Sequence, residues 1–199
     1  MGSKLLLATN NQAKVTEYKS LLTDLPLVLV TPAELGISIT VNEGDVSLEE
    51  NARLKATVFG VQSRLVALAD DSGLEVDALG GEPGPLSARY AGEGASDEDR
   101  VNYLLSRLEG VPWEQRTARF RCVIAIAVPD GGIEVCAGER EGFITLTPKG
   151  EYGFGYDPVF YLSELGKTMA ELPMEAKNQV SHRGQAVRKA HQILERLIF

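Results

Sequence analysis

Apolar residues follow two rhythms along the chain. Short apolar runs at 4–8, 27–30, 66–69, 117–128 and 133–137 predict strands. The longest of these puts Phe120, Cys122, Ile124, Ile126 and Val128 on one face, and a turn at Asp130-Gly131 returns it as a hairpin. Helical spacing predicts helices over 12–22, 48–63 and 98–108. A last helix carries Val187, Ala190, Ile193, Leu194 and Leu197 at 3.6-residue intervals. Leu54, Val58 and Val61 are read as the inner face of the second helix. Start signals agree: Ser47 with Glu50 forms a capping box, Ser96-Asp97-Glu98-Asp99 opens the third helix and Gly110 ends it. Thr168 to Glu171 caps a short helix that stops near Pro173. Residues 80–94, rich in Gly and Pro, and 150–156, rich in Gly, read as loops. Interspersed strands and helices with one antiparallel pair predict an α/β fold, a mixed central sheet with flanking helices. There is no repeat and no clean linker, so 1–199 reads as one domain, with two lobes around a substrate cleft.

Composition narrows the function classes. With 199 residues, 44% hydrophobic and 24% charged, the chain has enough length for a proper core and the make-up of a globular protein. Its 20 Lys and Arg against 28 Asp and Glu give a net charge of −8, which argues against a coat for nucleic acid or an anionic membrane. Leu5 to Thr9 is too short an apolar run for a signal core or a membrane span, and Leu6 breaks the myristoylation pattern after Gly2. A cytoplasmic protein is expected. With a two-residue hairpin loop Cys122 lies opposite Glu139, so the thiols of Cys122 and Cys136 point to different faces and stay free. No Cys-x-x-Cys or Cys/His cluster suggests zinc.

Five segments could carry chemistry. Thr9, Asn10, Asn11, Gln12, Ala13 and Lys14 lie where a strand gives way to a helix, where free amides and the helix dipole suit a phosphate. The plain alternative is a capped helix with a solvated Lys14. Asp70-Asp71-Ser72-Gly73 ends an apolar strand. Neighbouring carboxylates there face opposite ways, so one can hold a hard cation, unless the segment is only a turn. Glu43 is a possible second carboxylate for that cation. Phe154-Gly155-Tyr156-Asp157-Pro158 could lay a ring against a flat ligand, or could be a tight turn. Lys177 and Ser181-His182-Arg183-Gly184 supply donors for keto or phosphate oxygens, or else ordinary cap chemistry with Arg183 exposed.

In this order the segments resemble the inosine triphosphate pyrophosphatase family. The matching stretches are TNNQAK at 9–14, SLEENARLKA at 47–56, ADDSGLEVDALGGEPG at 69–84, SARYAG at 87–92, FGYDPVF at 154–160 and SHRGQA at 181–186. Where that family often has Thr-Gly after the glutamate and Phe at 48, this chain has Gly44-Asp45 and Leu48. The resemblance implies a two-lobed mixed α/β fold, a homodimer, Mg²⁺ dependence, and hydrolysis of nonstandard purine triphosphates (ITP, dITP, XTP) to the monophosphate and pyrophosphate. It implies that Thr9 to Lys14 bind the triphosphate and that Glu43 and Asp71 carry the metal. Asp71 would be the proton acceptor, and Ser72 would touch substrate. Phe154, Gly155, Tyr156, Asp157, Lys177, His182 and Arg183 would hold base and sugar. Because one oxygen can hardly serve both metal and water fully, Asp71 is then chiefly the ligand, with Asp70 positioning the water or the Asp71 loop. Donors from Lys177, His182 or Arg183 would favour a 6-keto purine over adenine. A non-catalytic nucleotide sensor and a metal-dependent hydrolase of another nucleoside triphosphate are the alternatives.

Overall fold

A computed structural model describes residues 3–42, 44–45 and 47–198. In chain order these form β1 (Ser3–Leu7), α1 (Gln12–Leu21), β2 (Leu27–Val30), α2 (Leu48–Ser63), β3 (Val66–Val76), β4 (Pro83–Gly84), α3 (Asp97–Arg107), β5 (Thr117–Ala127), β6 (Ile133–Ile144), β7 (Phe160–Leu162), β8 (Lys167–Thr168), α4 (Met174–Val180) and α5 (His182–Ile198). Glu43, the second carboxylate of the sequence reading, lies outside the described residues. Among those residues no helix is long and apolar enough to cross a membrane. The chain divides into two compact units, one of Met1–Asp71, Cys122–Gly138 and Arg183–Phe199, the other of Ser72–Arg121 and Glu139–His182.

In the first unit the strand order is β2-β1-β3-β5-β6, with β1 parallel to β2 and to β3 and Leu6 opposite Ala67. Parallel strands are stable when helices cover both faces, and the side chains alternate accordingly. Leu5, Leu7, Leu68, Cys122, Ile124 and Ile126 pack with Tyr18 of α1 and with Val187, Ala190 and Leu194 of α5. Leu6, Ala67, Ala69, Val123, Ala125 and Ala127 pack with Ala52, Ala56 and Phe59 of α2. The strand expected over 117–128 is therefore buried on two faces rather than one.

The inner face of α2 differs from the expected one. Leu54 and Val61 are exposed, while Leu48, Ala52, Ala56 and Phe59 are buried. Small side chains let the helix approach the sheet closely, and a stripe of alanines lacks the large apolar residues that mark a buried face in sequence. At Gly60 a Cβ would sit 3.6 Å from the Cβ atoms of both Ala67 and Ala127, an ordinary contact. Gly60→Ala is expected to stabilise the protein by about 0.5–1 kcal/mol through the helix propensity of alanine. A thermal midpoint below that of the unaltered protein would show that the seam has no room.

The hairpin also differs. The Val128 amide donates to the Gly132 carbonyl at 2.9 Å, which makes the loop three residues long instead of two. A one-residue slip reverses every side chain. Cys122 and Cys136 consequently belong to the same core rather than to different faces. Neither cysteine is in a disulfide, as expected, and burial pushes the Cys136 thiol up to about 11.

In the second unit the order is β3-β5-β6-β7-β8, with β4 antiparallel to β3 and Leu74 opposite Gly84. Its core gathers Leu74, Val76, Leu104, Leu108, Phe120, Ile144, Phe160, Leu162 and Met169. The Ser96–Asp99 capping box opens α3, and Thr168 and Glu171 cap a single 3₁₀ turn, both as the sequence predicts. The extension of β6 to Ile144, the short strands β7 and β8, and α4 are not evident from periodicity. Ser181 closes α4.

Candidate active site

Asp70 and Asp71 sit inside β3, not on the turn that Asp-Asp-Ser-Gly suggests. β3 has β5 as a ladder partner, and that pairing overrides the local turn preference of these residues. Alternation along the strand sends Asp70 to the side of Leu68 and Asp71 to the side of Ala67 and Ala69. The two carboxylates therefore meet different neighbours.

Asp70 is buried and accepts from cations on two helices. Lys14 Nζ lies 2.9 Å from its Oδ2, and Arg183 Nη2 lies 3.4 Å from the same oxygen. The Cys122 thiol approaches that atom at 3.9 Å. Burial alone would raise the Asp70 pKa, but Lys14, Arg183 and Lys55 together outweigh it and hold the carboxyl well below the ordinary range. Arg183, at 2% exposed, is not the solvated cap residue of the alternative reading. Burial works against its charge, yet Asp70 and Glu17 raise its pKa well above the usual value. Glu17 on α1 accepts from Arg183 Nη1 at 2.5 Å.

Asp71 faces α2. Asn51 Nδ2 donates to its Oδ2 at 2.9 Å, and Lys55 Nζ lies 3.4 Å from its Oδ1. Asn51 also holds the loop before the helix, accepting from the Gly44 amide and donating to the Gly44 carbonyl, both at 2.8 Å. Asn51, Lys55 and Glu17 are absent from the sequence reading of the site. Positions 51 and 55 are polar, one turn apart, on a stripe that also buries Leu48, Ala52 and Ala56 and that only the fold reveals. A polar residue on a buried stripe needs a partner.

At the start of α1 the Asn11 side chain accepts from the Lys14 amide at 3.1 Å, and Thr9 Oγ1 accepts from the Asn11 amide at 3.2 Å. Asn10 and Gln12 are exposed, and Thr9, Ala13 and Lys14 are half-buried. The first turn of α1 carries no acidic residue, whereas that of α3 carries Asp97, Glu98 and Asp99. No acidic side chain in that turn offsets the positive end of α1.

The second unit groups its own set. Ser72 continues β3 and is half-buried. Lys177 on α4 and Asp157 form a buried ion pair, and the Phe154 amide donates to Asp157 Oδ2 at 2.9 Å. Lys177 Nζ lies 4.9 Å from the centre of the Phe154 ring. Gly153 makes room for this pair, since a Cβ there would fall 2.1 Å from Asp157 Oδ2 at a φ of +77°. Tyr156 is buried and donates its hydroxyl to the Ser87 carbonyl at 2.9 Å. The His182 ring stacks on Phe120 with centroids 4.6 Å apart.

Among the described residues no group of three His, Cys, Asp or Glu side chains gathers to hold a metal. The donor set nevertheless suits a hard cation. Mg²⁺ takes oxygen ligands and usually only one or two protein carboxylates, the rest coming from water and phosphate. Asp71, with one oxygen steadied by Asn51, offers such a carboxylate.

Known proteins resemble this chain along nearly all of it. A dITP/XTP pyrophosphatase of Geobacter sulfurreducens is 51% identical over 185 residues, 93% of each chain. One of Desulforamulus reducens is 52% identical over 194 residues, 98% of this chain and 96% of that protein. A solved HAM1 protein from Coxiella burnetii superposes with a TM-score of 0.88 at 39% identity, covering 98% of this chain and 99% of that one. The family model described as the Ham1 family matches residues 5–193, and the chain belongs to that family.

Proposed function

We propose that this protein hydrolyses nonstandard purine nucleoside triphosphates, in the dITP, XTP and ITP class, to the monophosphate and pyrophosphate. The relatives named dITP/XTP pyrophosphatase support the reaction. One observation in the fold carries it furthest: a chain of net charge −8 keeps Lys14, half-buried, and Lys55 and Arg183, buried, around Asp70 and Asp71, with no acidic side chain in the first turn of α1. That arrangement suits a polyanion that must be both held and attacked.

In this reading Thr9 to Lys14 bind the triphosphate through backbone amides, with Lys14 exchanging Asp70 for a phosphate oxygen. Asp71 accepts the proton of the attacking water as its oxygen bonds to the α-phosphorus and the bond to the pyrophosphate oxygen breaks. Asp71 and Glu43 would hold Mg²⁺, which supplies charge neutralisation at the phosphate oxygens when bound. Ser72 contacts substrate, Phe154 stacks on the base with Gly155, Tyr156 and Asp157 shaping the turn, and Lys177, His182 and Arg183 offer donors to a 6-keto group. Adenine presents a donor there and leaves those groups unmatched. The homodimer implied by the sequence resemblance and the cytoplasmic location expected from the sequence belong to the same proposal.

Pyrophosphate release from ITP, ATP, GTP and dUTP with Mg²⁺ tests the proposal. The expected result is a kcat/KM for ITP at least about 100-fold above that for ATP, as a mismatched polar pocket requires. Release should vanish with excess EDTA and return on adding Mg²⁺. Equal rates on ITP and ATP would refute the donor pocket. Absence of release from every triphosphate would leave a sensor as the better reading.

A further inference from the structure

Asp97 opens α3, yet it is not the residue that caps it. The cap is Ser96, whose hydroxyl accepts from the Asp99 amide while the Asp99 carboxylate accepts from the Ser96 amide. Asp97 is turned to a different task. Its Oδ2 accepts from the Gly155 amide at 2.7 Å, and its Oδ1 pairs with Arg100. Arg100 Nη1 donates to the carbonyls of Ala88 at 3.0 Å and Ala95 at 2.6 Å. One carboxylate and one guanidinium therefore tie together the SARYAG stretch, the approach to α3, and the turn that bears Phe154.

That turn is pinned at consecutive amides. The Phe154 amide goes to Asp157 and the Gly155 amide to Asp97, with Gly155 at a φ of +63°. The first bond closes within the turn, so it fixes the local shape but not the orientation of the whole. The second reaches 58 positions back along the chain and, together with the Tyr156 hydroxyl on the Ser87 carbonyl, sets where the turn sits in its unit. The Phe154 ring and the Asp157–Lys177 pair both ride on it.

We infer that Asp97, held by Arg100, is a positioning residue for the base-recognition turn, setting the Phe154 ring and the Lys177 ammonium against the purine. The inference rests on the pyrophosphatase reading above. A hydrogen bond from an amide to a carboxylate is charge-assisted and directional, which suits it to fix a turn that must not drift. A misplacement of about 1 Å in a substrate-positioning group can cost on the order of 10²-fold in rate. Here the group touches the base and not the phosphorus, so the loss should fall on binding.

Steady-state kinetics on ITP tests this with Asp97→Ala, Asp97→Asn, Arg100→Gln and, as a control on the helix cap, Asp99→Ala. For Asp97→Ala, KM for ITP is expected to rise about 10-fold with kcat changed less than about 3-fold, as loss of uniform binding requires. Asp97→Asn keeps an acceptor oxygen for the Gly155 amide and should stay within about 3-fold of the wild-type KM. Asp99→Ala should lower the thermal midpoint without moving KM. A folded Asp97→Ala with wild-type KM overturns the inference, as does a KM for Asp99→Ala raised as much as that for Asp97→Ala. Should Asp97→Ala not fold, Arg100→Gln takes its place, and an unchanged KM there overturns it equally. Calorimetric binding of IMP separates the two readings. If the wild type binds IMP without hydrolysing ITP, the pyrophosphatase reading fails, and weaker IMP binding in Asp97→Ala still supports the positioning role. A wild type with neither property overturns both.

Discussion

Asp71→Asn should lose about 10³-fold or more in kcat on ITP while folding normally. The substitution keeps the shape of the side chain and an oxygen that can still accept from Asn51, and Lys55, 3.4 Å from Oδ1, stays within the field of Asp70, so the fold survives. It removes the negative charge that a metal ligand or a proton acceptor requires, and general-base contributions alone reach about 10²–10⁴-fold. The effect should persist at saturating Mg²⁺, because raising the cation concentration restores occupancy but not proton acceptance. Turnover within 10-fold of wild type would remove Asp71 from the chemistry. A thermal midpoint lowered by many degrees would instead mark it as structural.

Asp70→Asn should behave in the opposite way, costing stability first. Its carboxylate faces Lys14 and Arg183 in a buried setting, and breaking such a pair from one side typically costs about 3–5 kcal/mol. Arg183 retains Glu17, which places the expected loss at the lower end, about 3 kcal/mol. Chemical denaturation of the two asparagine variants side by side separates the roles. If Asp70→Asn matches wild type in stability while Asp71→Asn does not, the assignments are reversed. In the sequence reading Asp70 positions the attacking water or the Asp71 loop. In the structure that carboxylate pairs with Lys14 and Arg183.

Much of the fold follows from the sequence because its signals are local. The strand at 27–30 and the helix start at Gln12 coincide with β2 and α1, and the Ser96 cap lies at its expected place. The misreadings have non-local causes. β3 runs through Asp-Asp-Ser-Gly because a neighbouring strand supplies its hydrogen bonds, which no window of sequence displays. The hairpin loop is one residue longer than Asp-Gly suggests, and that single step moved Cys136 to the face of Cys122. At the site, the residue types were legible but the partnerships were not. Lys14 with Asp70, Lys177 with Asp157 and Arg183 with Glu17 join positions far apart along the chain. Asn51 and Lys55 have the charge and polarity of an ordinary helix exterior, and only their burial marks them.

The alanines beneath α2 act as a spacer of fixed thickness. Ala52 and Ala56 rest on Ala67, Ala69, Val123 and Ala125, while the same helix carries Asn51 and Lys55 to Asp71. Close-packed interiors transmit displacement rather than absorb it. Enlarging any of these methyl groups would jack the helix outward and carry its amide and ammonium away from the carboxylate. The gauge of the site is thus set by the smallest side chains in the unit, and drift toward bulk along that seam would be penalised in turnover before it was felt as unfolding.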